Sequence, residues 1–326
     1  MPQPESWANP VVTRSRVVLE MGAALVSASD QPLRQAKVLL RRRVGVDEWP
    51  LVLFGSATIE GVWAVTAREA TLAMINPSAA LTLAYRGAAP FDDPQPVRTL
   101  AVIPSHDQCV FVVHPQTGLR SVEDIARTRY PLRVRTRGTR DHSLAFMIGD
   151  ITKAAGFTLD ELRSWGGDVL LDGDFPQADG PEMQALLRGD VDAMFEEGLD
   201  EWLTTALDAG MLALPLGTAA IERLETLGYR SAIVSKSLYP KLAEDVKTID
   251  FSGWPIFVHA ETPDAVVRQL CAALEERKHL IPWQGDGPLP VEQMCLDRPA
   301  TPIDVPFHPA AAAYWRERGY LNVRGE

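Results

Sequence analysis

Apolar positions along this chain switch repeatedly between two patterns. In short runs they are continuous or alternate with polar residues; in longer stretches they recur every three or four. The first pattern suits a strand, the second the buried face of a helix. In order, they predict a strand over 17–23, a helix over 32–44 with Leu33, Ala36, Leu39 and Leu40 buried, and a strand over 50–54. A helix over 60–67, a strand over 72–75 and a helix over 79–86 stopped at Gly87 follow. Beyond a proline-rich loop come strands over 100–104 and 109–113, and Ser121 opens a helix with Glu123 and Asp124 in its first turn. A helix over 181–187 leads to a strand over 191–195 and a helix from Asp200. The Gly- and Asp-rich stretch 165–180 reads as a long loop around a short apolar piece, 169–171. A strand over 253–259, a helix carrying Val266, Val267, Leu270 and Leu274, and a last helix over 308–319 complete the chain. Strands alternating with helices at this spacing predict an α/β fold with mostly parallel sheets.

The most informative stretch is 131–156. Leu132, Val134 and Thr136 mark the end of a strand, and Leu144, Phe146, Met147, Ile148 and Ile151 the buried side of a helix. Between them Gly138 permits a tight turn flanked by Arg137, Thr139 and Arg140. Free N–H groups, a positive helix end and two guanidiniums suit a carboxylate or another small anion. A surface turn whose arginines face only water has the same pattern.

Composition narrows the class. With 326 residues, 46% of them hydrophobic, the chain can bury two domains, and its net charge of −11 argues against a nucleic-acid partner. Arg41, Arg42 and Arg43 read as the solvated end of a helix. No apolar run approaches a membrane span, so direct membrane insertion is not expected. The opening MPQPESWANPVVTRSR has neither a basic flank nor an apolar core, which predicts a cytoplasmic protein as the chain stands, or a periplasmic one if a leader has been removed. Cys109, Cys271 and Cys295 lack metal-ligand spacing, no His-x-x-x-His occurs, and no phosphate-cradling loop appears. No metal, cofactor or catalytic residue is therefore assigned.

Four elements together resemble one family. Ser121-Val122-Glu123-Asp124-Ile125, after Thr117-Gly118-Leu119, is similar to the turn and helix start of periplasmic-type binding proteins. Arg137-Gly138-Thr139 sits where those proteins carry a Gly-Ser-Gly-Thr loop, and 187–193 resembles their L-x-x-G-x-I-D-A element. Phe307-His308-Pro309-Ala310-Ala311, followed by Tyr314, Trp315, Glu317 and Gly319, resembles the C-terminus of the TAXI family. TAXI proteins are the solute receptors of tripartite ATP-independent periplasmic (TRAP) transporters. The resemblance implies a two-domain type II periplasmic-binding-protein-like fold: a first domain from 1–107 and 235–326, a second from 108–234, and crossings near 103–112 and 229–236. It also implies a small organic anion held between the domains and a TRAP-type membrane permease as partner.

On that fold the loops at the carboxyl ends of the strands would line one pocket. The candidate contacts are Ser27, Ser56, Thr58, Asn76, His106, Arg137, Thr139, Arg140, His142 and Glu196. Ser56 and Thr58 offer hydroxyls, and the arginines can fork two hydrogen bonds to a carboxylate. Glu196 and Glu197 could bind a cation, pair with a cleft arginine, serve as an acid or simply face water. His106 and Asp107 are neighbours, and alternation along a strand points them to opposite sides, so they cannot form a dyad. His308 reads as a capping and packing residue. The loops 21–29 and 54–61 have fewer glycines than the family's, which favours a ligand larger or more apolar than an amino acid. The rival expectation is a cytoplasmic decarboxylase-like enzyme acting on an aromatic carboxylate, with an arginine to orient it and His106, His142 or Glu196 as the acid. A cytoplasmic ligand sensor is a third.

Overall fold

The computed structural model describes residues 10–27, 35–41, 50–56, 58–138 and 142–321. The chain forms two compact units, Met1–Ala36 and Lys37–Glu326. In the first, α1 (Pro10–Ser27) is a single helix whose residues 14–26 are all exposed. The strand expected over 17–23 lies within it. Arg14, Arg16, Glu20, Met21, Ala23 and Leu25 are good helix formers, and they extend the apolar run beyond strand length. The helix expected over 32–44 is also overturned: its described part is a strand, β1 (Gln35–Leu40), ending before Arg41. A short apolar run carries too little periodicity to separate the two states. Arg42 and Arg43 lie outside the described residues.

The second unit is built on two sheets. After β1 come β2 (Leu51–Ser56), α2 (Glu60–Thr66), β3 (Leu72–Met74), α3 (Ser78–Arg86) and β4 (Val97–Ile103). The chain then crosses to β5 (Gln108–Val113), α4 (Glu123–Thr128), β6 (Arg133–Arg137), α5 (Ser143–Ala154), α6 (Leu159–Ser164), β7 (Asp168–Gly173), α7 (Pro181–Arg188) and β8 (Ala193–Glu196). Next are α8 (Leu199–Asp208), β9 (Leu212–Leu214), α9 (Thr218–Leu227), β10 (Ser231–Val234) and β11 (Val246–Asp250). A second crossing returns it to β12 (Trp254–His259), α10 (Asp264–Arg277), α11 (Val291–Met294) and α12 (Pro309–Glu317).

The first sheet has the order β1-β2-β3-β12-β4, and the second β10-β11-β5-β8-β6-β7, with β9 beside β5. Because β10 and β11 extend the second sheet, the return to the first lies between Asp250 and Trp254 rather than over 229–236. The pairs β2–β3, β6–β7 and β6–β8 are parallel, while the strands beside the crossings, β5 and β12, run antiparallel to their neighbours. This is the α/β, two-domain binding-protein-like architecture: two helix-flanked sheets joined by two crossings. Part of the expected loop 165–180 is β7, which completes the second sheet beside β6. Its entry is set by α6, whose Thr158 and Glu161 form a capping box.

Alternation along the strands sets the core. Leu100, Val258 and Trp315 pack between the first sheet and its helices, and Trp202, Leu203 and Met194 do so beside the second. Fully burying a leucine-sized side chain contributes about 1.5–3 kcal/mol. The C-terminal motif serves this packing: His308 accepts from the Ala310 N–H at the start of α12, and Trp315 Nε1 donates to the Leu100 carbonyl at 2.7 Å. Among the described residues no helix is long and apolar enough to cross a membrane.

Candidate functional site

The carboxyl ends of β2 and β3 in the first sheet meet those of β6 and β8 in the second. Thr58, just past β2, forms an antiparallel bridge with His142, the residue before α5. Ser143 Oγ donates to the Asn76 carbonyl at 2.6 Å, a second direct tie between the sheets. Ser56 and Thr58 share a hydroxyl–hydroxyl bond of 2.9 Å, and both are buried. The His142 ring stacks on Phe251 of the second crossing, with centroids 6.2 Å apart.

Arg137 ends β6, and the parallel pairing of Val134 with Ala193 and Arg135 with Met194 carries it to the same end as Glu196. Its Nη2 donates to Glu196 Oε2 at 2.9 Å and also to Glu197 Oε1, while Nη1 lies 3.0 Å from His142 Nε2. A guanidinium can only donate, so that histidine nitrogen accepts and carries no proton. Phe175 covers the guanidinium face at 4.9 Å. Arg137 is only 7% exposed, so a charge on it needs these partners. Burial opposes its charge, but Glu196 and Glu197 outweigh burial and hold its pKa above the ordinary value. The Glu196 carboxyl is pushed up to about 7, because burial outweighs the attraction of Arg137 and Glu197 adds repulsion.

Asp107 brings a third carboxyl. It lies on the first crossing, where Oδ2 accepts from the Gly198 N–H at 2.7 Å and Oδ1 from the Gln108 N–H at 2.8 Å. Burial, together with a side-chain hydrogen bond to Glu197 and that group's charge, raises its pKa to about 9. Gly198 has φ 66°, and a Cβ there would lie 2.4 Å from the Phe175 ring. Glycine thus lets the chain turn from β8 into α8 beneath Phe175. Ser252, on the second crossing, accepts from the Asp107 N–H at 2.9 Å and donates to its carbonyl, which ties the two crossings together.

Among the described residues, three buried polar atoms at these strand ends have no hydrogen-bond partner: Asn76 Oδ1, Ser78 Oγ and Arg137 Nε. Ser78 faces Gly253, whose φ is 76° and where a Cβ would approach the hydroxyl to 2.5 Å. Glycine there keeps the second crossing close against the start of α3.

Of the expected contacts, Ser56, Thr58, Asn76, Arg137, His142 and Glu196 come together here. Ser27 is the last residue of α1 in the other unit, and its side chain is outside the described residues, as are Thr139 and Arg140 entirely. His106 is not part of the Arg137 group. Its Nε2 lies 3.3 Å from Gln108 Nε2, and both line a separate cavity of about 420 Å³ with Arg230 and Asp250. Asp107, Glu197, Ser78, Phe175 and Phe251 were absent from the expected contacts. The Glu196-Glu197 doublet after a strand marked Glu197; nothing local marks Phe175. Among the described residues no group of His, Cys, Asp and Glu could hold a metal ion.

Two sheets joined by two crossings, with polar strand ends facing each other, define the class of two-lobed, periplasmic-binding-protein-like folds. The chain belongs to the NMT1-like family, whose model matches residues 54–319. Among solved structures it is similar to a TctC solute-binding protein from Polaromonas, at 14% identity over 66% of this chain and 67% of that one, TM-score 0.34. A protein from Bordetella bronchiseptica RB50 matches at 12% identity over 83% and 78%, TM-score 0.41. MatC from Rhodopseudomonas palustris, solved with bound malate, matches at 12% over 63% and 64%, TM-score 0.32. No curated protein matches the chain.

Proposed function

We propose that this protein is a solute-binding receptor that closes on a small organic acid between its two sheets and delivers it to a membrane permease, in the manner of TAXI-type receptors. The observation that carries the proposal is the set of unpartnered buried atoms at the facing strand ends. Arg137 Nε–H and the Ser78 hydroxyl are donors suited to carboxylate oxygens, and Asn76 Oδ1 is an acceptor suited to a hydroxyl or a protonated acid. A carboxylate bearing a hydroxyl carries the acceptors and the donor that match these groups chemically. The His308-Pro309-Ala310 start of α12 and the Trp315 anchor support the TAXI-like character of the tail. A receptor works outside the inner membrane.

A specific observation favours an enzyme as the second reading. Glu196, with a pKa near 7 and bonded to Arg137, has the properties of an acid able to protonate a carbanion left by decarboxylation. Such an enzyme belongs in the cytoplasm.

A thermal-shift screen of aliphatic, hydroxylated and aromatic carboxylates on the ligand-free protein separates the two. At a hundredfold excess over Kd, binding adds about 2.7 kcal/mol and raises the melting temperature by several degrees. A hit recovered intact by mass spectrometry supports the receptor, and Ser78→Ala should weaken it. A hit that loses carbon dioxide makes the protein an enzyme. If no carboxylate shifts the transition, the organic-acid assignment fails.

A further inference from the structure

The cavity beside His106 is distinct from the Arg137 group, and both lobes wall it. Gln108 opens β5, Ile233 lies on β10 and Asp250 ends β11, all strands of the second sheet. Asp297, Arg298 and Pro302 come from the loop before α12. That loop is fixed to the first lobe, where the Ser105 N–H after β4 donates to the Ala300 carbonyl at 2.9 Å. The volume of about 420 Å³ falls within the range of small-molecule pockets.

The charges around this cavity do not balance. Arg230 turns its guanidinium to the loop: Nε and Nη2 donate to the two oxygens of Asp304 at 2.8 and 2.9 Å, and Nη1 donates to Asp297 at 2.8 Å. One cation thus serves two carboxylates. Arg298 is exposed, and water and salt screen its charge. The Gln108 amide nitrogen donates to His106 Nε2 at 3.3 Å, so that ring nitrogen holds no proton and the imidazole is neutral. Asp250 is a third carboxylate, half-buried, with Oδ1 accepting from the Ser252 hydroxyl. Burial outweighs the hydrogen bonds from Ser252 and pushes its pKa up to about 6, which leaves it ionised at neutral pH. Among the described residues, the lining side chains and their ion-pair partners set two guanidiniums against three carboxylates.

We propose that this cavity is a second ligand site, which takes a small organic ammonium with its cation against Asp250 and its apolar body between Ile233 and the loop prolines, Pro299 and Pro302. An ammonium carries three donors and the charge that the half-buried carboxylate calls for. Ile233 is 53% exposed, and an apolar body laid over it removes that surface from water. A carboxylate is repelled by Asp250. The site therefore selects the charge opposite to that of the acid proposed for the cleft.

The test uses Ile233→Cys, an exposed position on the cavity wall in a chain whose native thiols are buried. Its alkylation by iodoacetamide, a neutral reagent, is timed with 3-phenylpropylammonium, 3-phenylpropanol or 3-phenylpropanoate present. The ammonium should slow alkylation saturably, at concentrations about tenfold below those the alcohol needs, and the carboxylate should protect least. Asp250→Asn keeps an acceptor for Ser252 but removes the charge, and should bring the ammonium down to the level of the alcohol. Failure of the ammonium to protect, equal protection by ammonium and alcohol, or best protection by the carboxylate each overturns the proposal. So does full protection by the ammonium in Asp250→Asn. If that variant does not fold, the ranking of the three probes in Ile233→Cys decides alone. None of these outcomes bears on the carboxylate receptor, which is read by thermal shift and by Ser78→Ala.

Discussion

Arg137 and Arg230 each hold a pair of carboxylates, and the contrast between them shows what burial does to an ion pair. Arg137 holds Glu196 and Glu197 with side-chain exposures of 8%, 2% and 9%. Arg230 holds Asp297 and Asp304 with exposures of 32%, 56% and 24%, and links the start of β10 to the loops before α12. The contact lengths are similar, 2.9 Å to Glu196 against 2.8 Å to each aspartate. Water solvates the Arg230 group whether or not it is paired, so pairing adds little. The Arg137 group has lost its water, so its partners decide which charges can exist there.

The sharpest way to break the comparison is Arg137→Met. It strands two buried carboxylates and should cost about 3–5 kcal/mol in urea unfolding near neutral pH. Protonation relieves those carboxylates, so the loss should shrink as pH falls. A loss below that of Arg230→Ala would mean the buried pairs carry no special weight.

A smaller effect belongs to Glu196. Its native pKa lies near 7, above the ordinary glutamate value, so the folded state binds the proton more tightly than the unfolded one. The stabilisation from this group is complete below about pH 4 and is lost as pH rises toward about 7, with a slope approaching 1.4 kcal/mol per pH unit. Glu196→Gln should remove one proton's worth of slope across that window, as measured by unfolding at a series of pH values.

The smallest effect is Arg230→Ala, about 0.2–1 kcal/mol and weaker still in high salt. A measured cost near that of Arg137→Met would erase the contrast.

How much of this was legible in the sequence depends on the range of the interaction. Gly87 stopping α3, the apolar run of β12 and the His308-Pro309 start of α12 are local signals. They place most elements from residue 50 onward. Before it, the periods expected for α1 and β1 are exchanged in the structure, because short apolar runs carry too little periodicity to separate helix from strand. Arg137 and Glu196 stood out as charged residues at strand ends, and pairing with a cleft arginine was one of four readings open for the glutamate, but nothing local selects it across 59 positions. Only the β6–β8 register does that. Alternation along the crossing did separate Asp107 from His106, and the structure turns Asp107 toward Gly198 and His106 toward the second cavity. The ring of Phe175 over Arg137 comes from β7 and its following loop, a stretch whose sequence spoke mainly of glycine and aspartate.

The order of strands in the first sheet also bears on the making of the protein. β12 lies between β3 and β4, yet its residues emerge from the ribosome about 150 positions after those of β4. Until then β3 and β4 lack the strand that joins them, and α12, which seals Leu100 through Trp315, comes later still. The second sheet is drawn wholly from the intervening chain, β5 to β11. During synthesis it can therefore complete itself first and draw the two halves of the first sheet together, shortening the loop whose closure would otherwise be the slow step.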